Sequence, residues 1–115
     1  MRQRLKDIGI SSEQRSAIIE AKRMIEKQFP VRQLIIFGSV ARGEATEESD
    51  LDLMVITEEV LTHKDRNAIY DIIFEVNYKY ATNLSVVVVD APSWESGILS
   101  LTPIFSEVQR DGVIV

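Results

Sequence analysis

Two aspartates one residue apart, Asp50 and Asp52, stand at the head of an apolar run, LDLMVIT. In an extended strand, side chains two positions apart point to one face, so the two carboxylates would lie side by side and repel. Glu44, Glu47 and Glu48 precede them, which crowds five carboxylates into nine positions. A hard divalent cation would relieve the repulsion. Mg²⁺ is held through a few carboxylates while water and substrate phosphates fill its remaining positions. The second feature is Gly38-Ser39, directly after the apolar run LIIF. Glycine after a strand lets the backbone approach a ligand closely, and the first N–H groups of a turn beginning at Ser39 can bind phosphate. The Ser39 hydroxyl adds a hydrogen bond. Arg42, one turn on, can reach a phosphate or form a structural ion pair, and the sequence weighs these two roles evenly.

These residues need elements that bring them together. Ser11-Ser12-Glu13-Gln14 reads as an S-x-x-Q helix start, and Ile18, Ala21, Ile25 and Phe29 recur at helical spacing up to Pro30. A strand is expected over 33–37, ending at Gly38. A second strand begins at Asp50, with Asp50, Asp52, Met54 and Ile56 on one side and Leu51, Leu53, Val55 and Thr57 on the other. Thr62 can cap a long helix whose stripe is Ala68, Ile69, Ile72, Ile73, Val76 and Tyr80. LSVVVV, 84–89, reads as a buried strand. Beyond it the expectation is a loop with Pro92, a short turn over 94–99, a helix from Pro103 to about Gln109, and Val113 to Val115 after Asp111-Gly112. If the first two strands are antiparallel neighbours, the Gly38 turn and the aspartates meet at one edge, an arrangement suited to in-line phosphoryl or nucleotidyl displacement. The fold class is α/β, an α+β mixed sheet with helices packed on it, in one domain over 1–115 with 1–10 a candidate disordered segment.

Composition removes several alternatives. There are no cysteines and one histidine, His63 at the start of a helix, which disfavours thiolate chemistry, zinc sites and a Ser-His-Asp triad. The net charge of −5 argues against a long nucleic-acid backbone as ligand but not against one nucleotide carried in with its metal. No run approaches membrane-spanning length, and a cytoplasmic location is expected. The tyrosines Tyr70, Tyr78 and Tyr80, with Trp94 and Phe105, are read as core or interface, and Asp71 and Glu75 as the wet face of the long helix.

The stretch GSVARGEATEESDLDL resembles the G-S-x-A-R-G…S-D-x-D-L signature of the minimal nucleotidyltransferases, in the DNA polymerase β-like superfamily. The resemblance implies a polymerase β-like nucleotidyltransferase fold and transfer of a nucleoside monophosphate from a triphosphate such as ATP, with Mg²⁺. Gly38 and Ser39 would hold phosphate, with Arg42 as a further candidate to assist, and Asp50 and Asp52 would be the catalytic metal ligands. Small stand-alone members of that family often pair with a HEPN-type helical toxin, so a partner protein is an expected acceptor, and a homo-oligomer is compatible with the chain. Active members carry a third Asp early in the next strand, where this chain offers Asn83 and Ser85. Asp90 lies at that strand's far end, on the order of 15 Å or more away. The loop glutamates, or water, are the candidates to complete the site. The alternative function is a catalytically weak or inactive nucleotide-binding antitoxin module.

Overall fold

The computed structural model describes residues 3–5, 8–43 and 50–115. The elements run β1 (Gln3–Arg4), α1 (Ser12–Gln28), β2 (Val31–Phe37), β3 (Leu51–Thr57), α2 (His63–Tyr80), β4 (Leu84–Asp90), α3 (Ala91–Ser96), a 3₁₀ turn (Ile98–Leu101), α4 (Pro103–Asp111) and β5 (Val113–Ile114). They build one mixed sheet in the order β1-β5-β2-β3-β4. β2 and β3 are antiparallel, and β3 and β4 are parallel through the α2 crossover.

Helix α1 begins where its sequence says it should. The Ser11 hydroxyl accepts from the Gln14 backbone N–H at 3.0 Å, and the Gln14 side chain accepts from the Ser11 N–H at 2.8 Å. This reciprocal cap satisfies two donors that the first turn leaves unpaired. In α2 the Thr62 hydroxyl accepts from Asp65 N–H at 3.1 Å, and the helix ends at Ala81 in the left-handed region, φ 54°. Asn77 then ties the helix end to the next strand. Its amide donates to the Leu84 carbonyl at 3.0 Å and its side-chain oxygen accepts from the Leu84 N–H at 2.8 Å. Leu51 N–H donates to the Asn83 carbonyl at 2.8 Å, so β3 and β4 begin at the same level.

The sheet is covered on both faces, which explains why β2 and β3 read as nearly continuous apolar runs. On one face Leu34, Ile36, Leu51, Leu53 and Val55 pack against Ile18, Ala21 and Ile25 of α1 and Ile69, Ile73 and Val76 of α2. On the other, Ile35, Phe37, Met54 and Ile56 pack against Ala91, Trp94 and Val108 from α3 and α4. The alternation expected for β3 therefore holds from Asp52 to Ile56, and it aims Asp52 at the α3/α4 face.

Two elements differ from expectation. Residues 91–96 form a helix where a loop was expected, because Asp90 caps it: its carboxylate accepts from the Ser93 N–H at 2.9 Å and the Ser93 hydroxyl at 3.0 Å. Read as the last residue of a strand, Asp90 hides this role. Residues 3–4 form a strand paired parallel to β5, a contact between the two ends of the chain that no local pattern announces. Among the described residues, no helix is long and apolar enough to cross a membrane.

Candidate functional site

The site forms where β2 ends and β3 begins. Phe37 pairs with Asp52 in the antiparallel ladder, so the Gly38 turn starts beside the Asp52 carboxylate. Gly38 adopts φ 82°, a conformation that L side chains rarely take. A Cβ added there would overlap Asp52 Oδ2 and come within 3.2 Å of its Cγ. Glycine is thus required twice, by its dihedral and by the carboxylate that lies against it. The chain then closes a tight turn, with Arg42 N–H donating to the Gly38 carbonyl at 3.2 Å and Gly43 N–H to the Val40 carbonyl at 3.1 Å. Val40 and Ala41 point into the core, which fixes the turn, while Ser39 is half-buried and Arg42 exposed.

Asp50, just ahead of β3, is exposed, and Asp52 is half-buried. The Asp52 carboxyl is pushed above the usual aspartate range, first by burial, then by the negative charges of Asp50 and Glu107, with Arg42 opposing. A half-buried carboxylate with two acidic neighbours is electrostatically unsatisfied, and its oxygens are donors of the kind a hard cation prefers. The pair fits Mg²⁺, which needs one or two carboxylates when phosphates and water supply the rest. No cluster of three or more acidic, histidine or cysteine side chains able to hold a metal occurs among the described residues.

The remaining candidates separate clearly. Ser85 is the register partner of Asp52 in the parallel β3–β4 ladder and is exposed, so a hydroxyl rather than a carboxylate stands beside Asp52 on the next strand. Asp90 pairs with Thr57 at the other end of that ladder, and its carboxylate is engaged as the α3 cap. Glu44, Glu47 and Glu48 lie outside the described residues. Arg42 makes an ion pair through Nη1 to Glu107 Oε1 at 2.9 Å, and that is not its sole interaction.

Glu107 is the site residue that sequence reading misses. It comes from α4, more than fifty positions after the signature, and a glutamate on a partly exposed helix carries no local mark of function. Only the packing of Val108 against the sheet brings it to Arg42 and within electrostatic reach of Asp52. Signature turn, aspartate pair and C-terminal helix therefore form one charged cluster.

Comparison with known proteins gives a consistent picture. The Nucleotidyltransferase domain family matches residues 18–106. A relative in Methanocaldococcus jannaschii assigned as a protein adenylyltransferase is 42% identical over 59 residues, 50% of this chain and 40% of that protein. The protein adenylyltransferase MntA of Thermococcus cleftensis is 42% identical over 45 residues, 39% of this chain and 46% of its own length. The chain spans about half the length of the curated relatives it matches. Among solved structures, one assigned as a minimal nucleotidyltransferase superposes with a TM-score of 0.60 at 25% identity, over 89% of this chain and 92% of the other. A toxin–antitoxin complex with AMP-PNP superposes with a TM-score of 0.57 at 19% identity, covering 90% of this chain and 72% of that one, and shares the fold. With a family match that takes in both ends of the glycine turn and the aspartate pair, on a sheet of the matching architecture, the chain belongs to the nucleotidyltransferase-domain family.

Proposed function

We propose that this protein transfers a nucleoside monophosphate, AMP from ATP, to a hydroxyl of a partner protein, with Asp50 and Asp52 holding Mg²⁺ and the Gly38-Ser39 turn holding the outgoing phosphates. The observation that carries this reading is the contact between Gly38 and the Asp52 carboxylate. An anion-binding turn set directly beside a carboxylate makes chemical sense when a cation-bound triphosphate lies against both. When bound, Mg²⁺ would neutralise charge on the phosphates and favour the ionised form of the attacking hydroxyl. The chain's own part is placement: Ser39 and the backbone of its turn grip the β- and γ-phosphates, Arg42 adds a positive charge beside them, and Asp50 sits at the exposed mouth where the acceptor enters. The hydroxyl oxygen bonds to the α-phosphorus as the bond to the β-phosphate oxygen breaks, its proton passes to solvent water, and pyrophosphate leaves from the turn.

Relatives named protein adenylyltransferase support a protein acceptor. The fold shared with chains of two toxin–antitoxin complexes, one of them containing MntA, agrees with a toxin as that acceptor, for which a HEPN-type helical protein is our candidate. One observation favours a second reading, a nucleotide-binding module that masks its partner without turnover: Ser85 stands beside Asp52 in place of a carboxylate.

The two readings separate in one experiment. The protein is incubated with Mg²⁺ and α-labelled ATP, with and without a candidate helical toxin, alongside Asp50→Asn. Label on the toxin that the substitution abolishes supports transfer. A toxin held without label, equally by both proteins, supports the masking module.

A further inference from the structure

The outer surface of the α1–α2 layer carries a row of exposed aromatics. Tyr70, Phe74 and Tyr78 repeat every four residues and are 43%, 72% and 86% exposed. Since each such side chain offers roughly 150–250 Å², the row presents about 400 Å² of apolar surface, the size at which patches on soluble proteins are often functional. The next row on α2 is Asp71, Glu75 and Lys79, at the same spacing. Lys79 donates to Glu20 of α1 at 2.9 Å, which places this charged row between the aromatics and α1. Beyond Glu20 the outer row of α1 is Ile19, 51% exposed, then Arg23 and Lys27. Among the described residues, no hydrogen bond or ion pair engages the side chains of Asp71, Glu75 or Lys27, and the Arg23 side chain has only a 3.7 Å contact to Glu20.

We propose that this face binds a second copy of the chain, related by a two-fold axis running parallel to the helices. Such an axis lays α2 of each copy over α1 of the other and keeps residues at the same height. The start of α1 lies beside the end of α2, around a shared cavity lined by Ser11, Gln14, Tyr80 and Asn83, so the two helices run antiparallel. Counting from the Glu20–Lys79 contact at equal rise per residue, Arg23 is level with position 76 and Lys27 with position 72. Across the axis, Arg23 of one copy therefore meets Glu75 of its partner, and Lys27 meets Asp71. Ile19 and the hydrocarbon stems of the two cations cover the aromatic row, and their charged ends can stack on the rings. Every contact occurs twice, as an isologous interface requires. The Asp52 side chain points to the opposite, α3/α4 face, so the dimer leaves both candidate sites open. This inference does not depend on the proposed transfer activity.

Sedimentation velocity over a concentration series, at low and high salt, tests it. The wild-type chain is expected to dimerise, more weakly in high salt, and Phe74→Glu/Tyr78→Glu to stay monomeric with unchanged circular dichroism. Asp71→Lys/Glu75→Lys and Arg23→Glu/Lys27→Glu should each raise the dimer dissociation constant by about tenfold or more. Mixed together, these two charge-reversed proteins should pair with each other, because both sets of contacts are then restored. A wild-type chain that is monomeric throughout overturns the proposal, as does a dimer that survives Phe74→Glu/Tyr78→Glu, or a failure of the two reversed variants to associate. A monomer that uses this face for a helical partner protein also overturns it.

Discussion

Gly38→Ala probes the contact on which the site depends. The substitution forces a side chain into a left-handed conformation, φ 82°, and drives its Cβ into the Asp52 carboxylate. The dihedral alone costs about 1 kcal/mol and relief of the overlap about another 1 kcal/mol. The sum, about 2 kcal/mol, corresponds to roughly 6–10 °C in Tm for a domain of this size. The overlap is with Oδ2 and Cγ, whereas Asp52 Cβ would sit at an ordinary 3.5 Å. In an Asp52→Ala background, Gly38→Ala should therefore lose only its dihedral share. Urea denaturation of the four proteins should give a coupling of about 1 kcal/mol. A carboxylate displaced by about 1 Å should also lower nucleotidyl transfer by about 10²-fold. Additive effects in the cycle, to within about 0.3 kcal/mol, would refute the reasoning, and so would a Gly38→Ala protein with undiminished Mg²⁺-dependent nucleotide binding.

Further predictions concern the elements around the site. The Ser93 N–H and hydroxyl hold the Asp90 carboxyl below its ordinary value, so its stabilisation is complete above the unfolded-state pKa of about 3.9 and is lost as pH falls through the lower folded value. Asp90→Ala should cost about 1 kcal/mol in denaturant at pH 7, and the gap to wild type should close in acid. Ala81→Gly relaxes the left-handed end of α2 and should raise stability by about 1 kcal/mol, read as a higher urea midpoint with unchanged slope. Ser85→Asp puts a third carboxylate beside Asp52 and should lower stability without metal while tightening Mn²⁺ binding by several-fold, both measurable by calorimetry.

Local chemistry made much of this architecture legible. The S-x-x-Q cap, the Thr62 cap, the β-branched run 84–89 and the turn at Gly38 each act within a few residues, and the structure places each where the pattern does. The pairing of Phe37 with Asp52 follows from short-range antiparallel neighbours, so the meeting of turn and aspartates could also be anticipated. What escaped the sequence depends on tertiary placement or on a residue with two roles. Asp90 both ends a strand and caps a helix. Glu107 acquires its neighbours only because Val108 buries α4 against the sheet. Of the two readings for Tyr70 and Tyr78, core or interface, the structure removes the core: at about 100° per residue they lie roughly 100° and 180° around α2 from the buried stripe of Ile69, Ile73 and Val76 and face outward.

The aspartate pair and the glycine turn are together proposed to hold a metal-bound triphosphate. Anomalous diffraction from crystals soaked with Mn²⁺ and a non-hydrolysable ATP analogue tests it most directly. A Mn²⁺ peak is expected about 2.1–2.2 Å from oxygens of both Asp50 and Asp52, with the β- and γ-phosphates on the N–H groups of the Ser39 turn. A nucleotide bound elsewhere, or a cation that ignores the two aspartates, would contradict it.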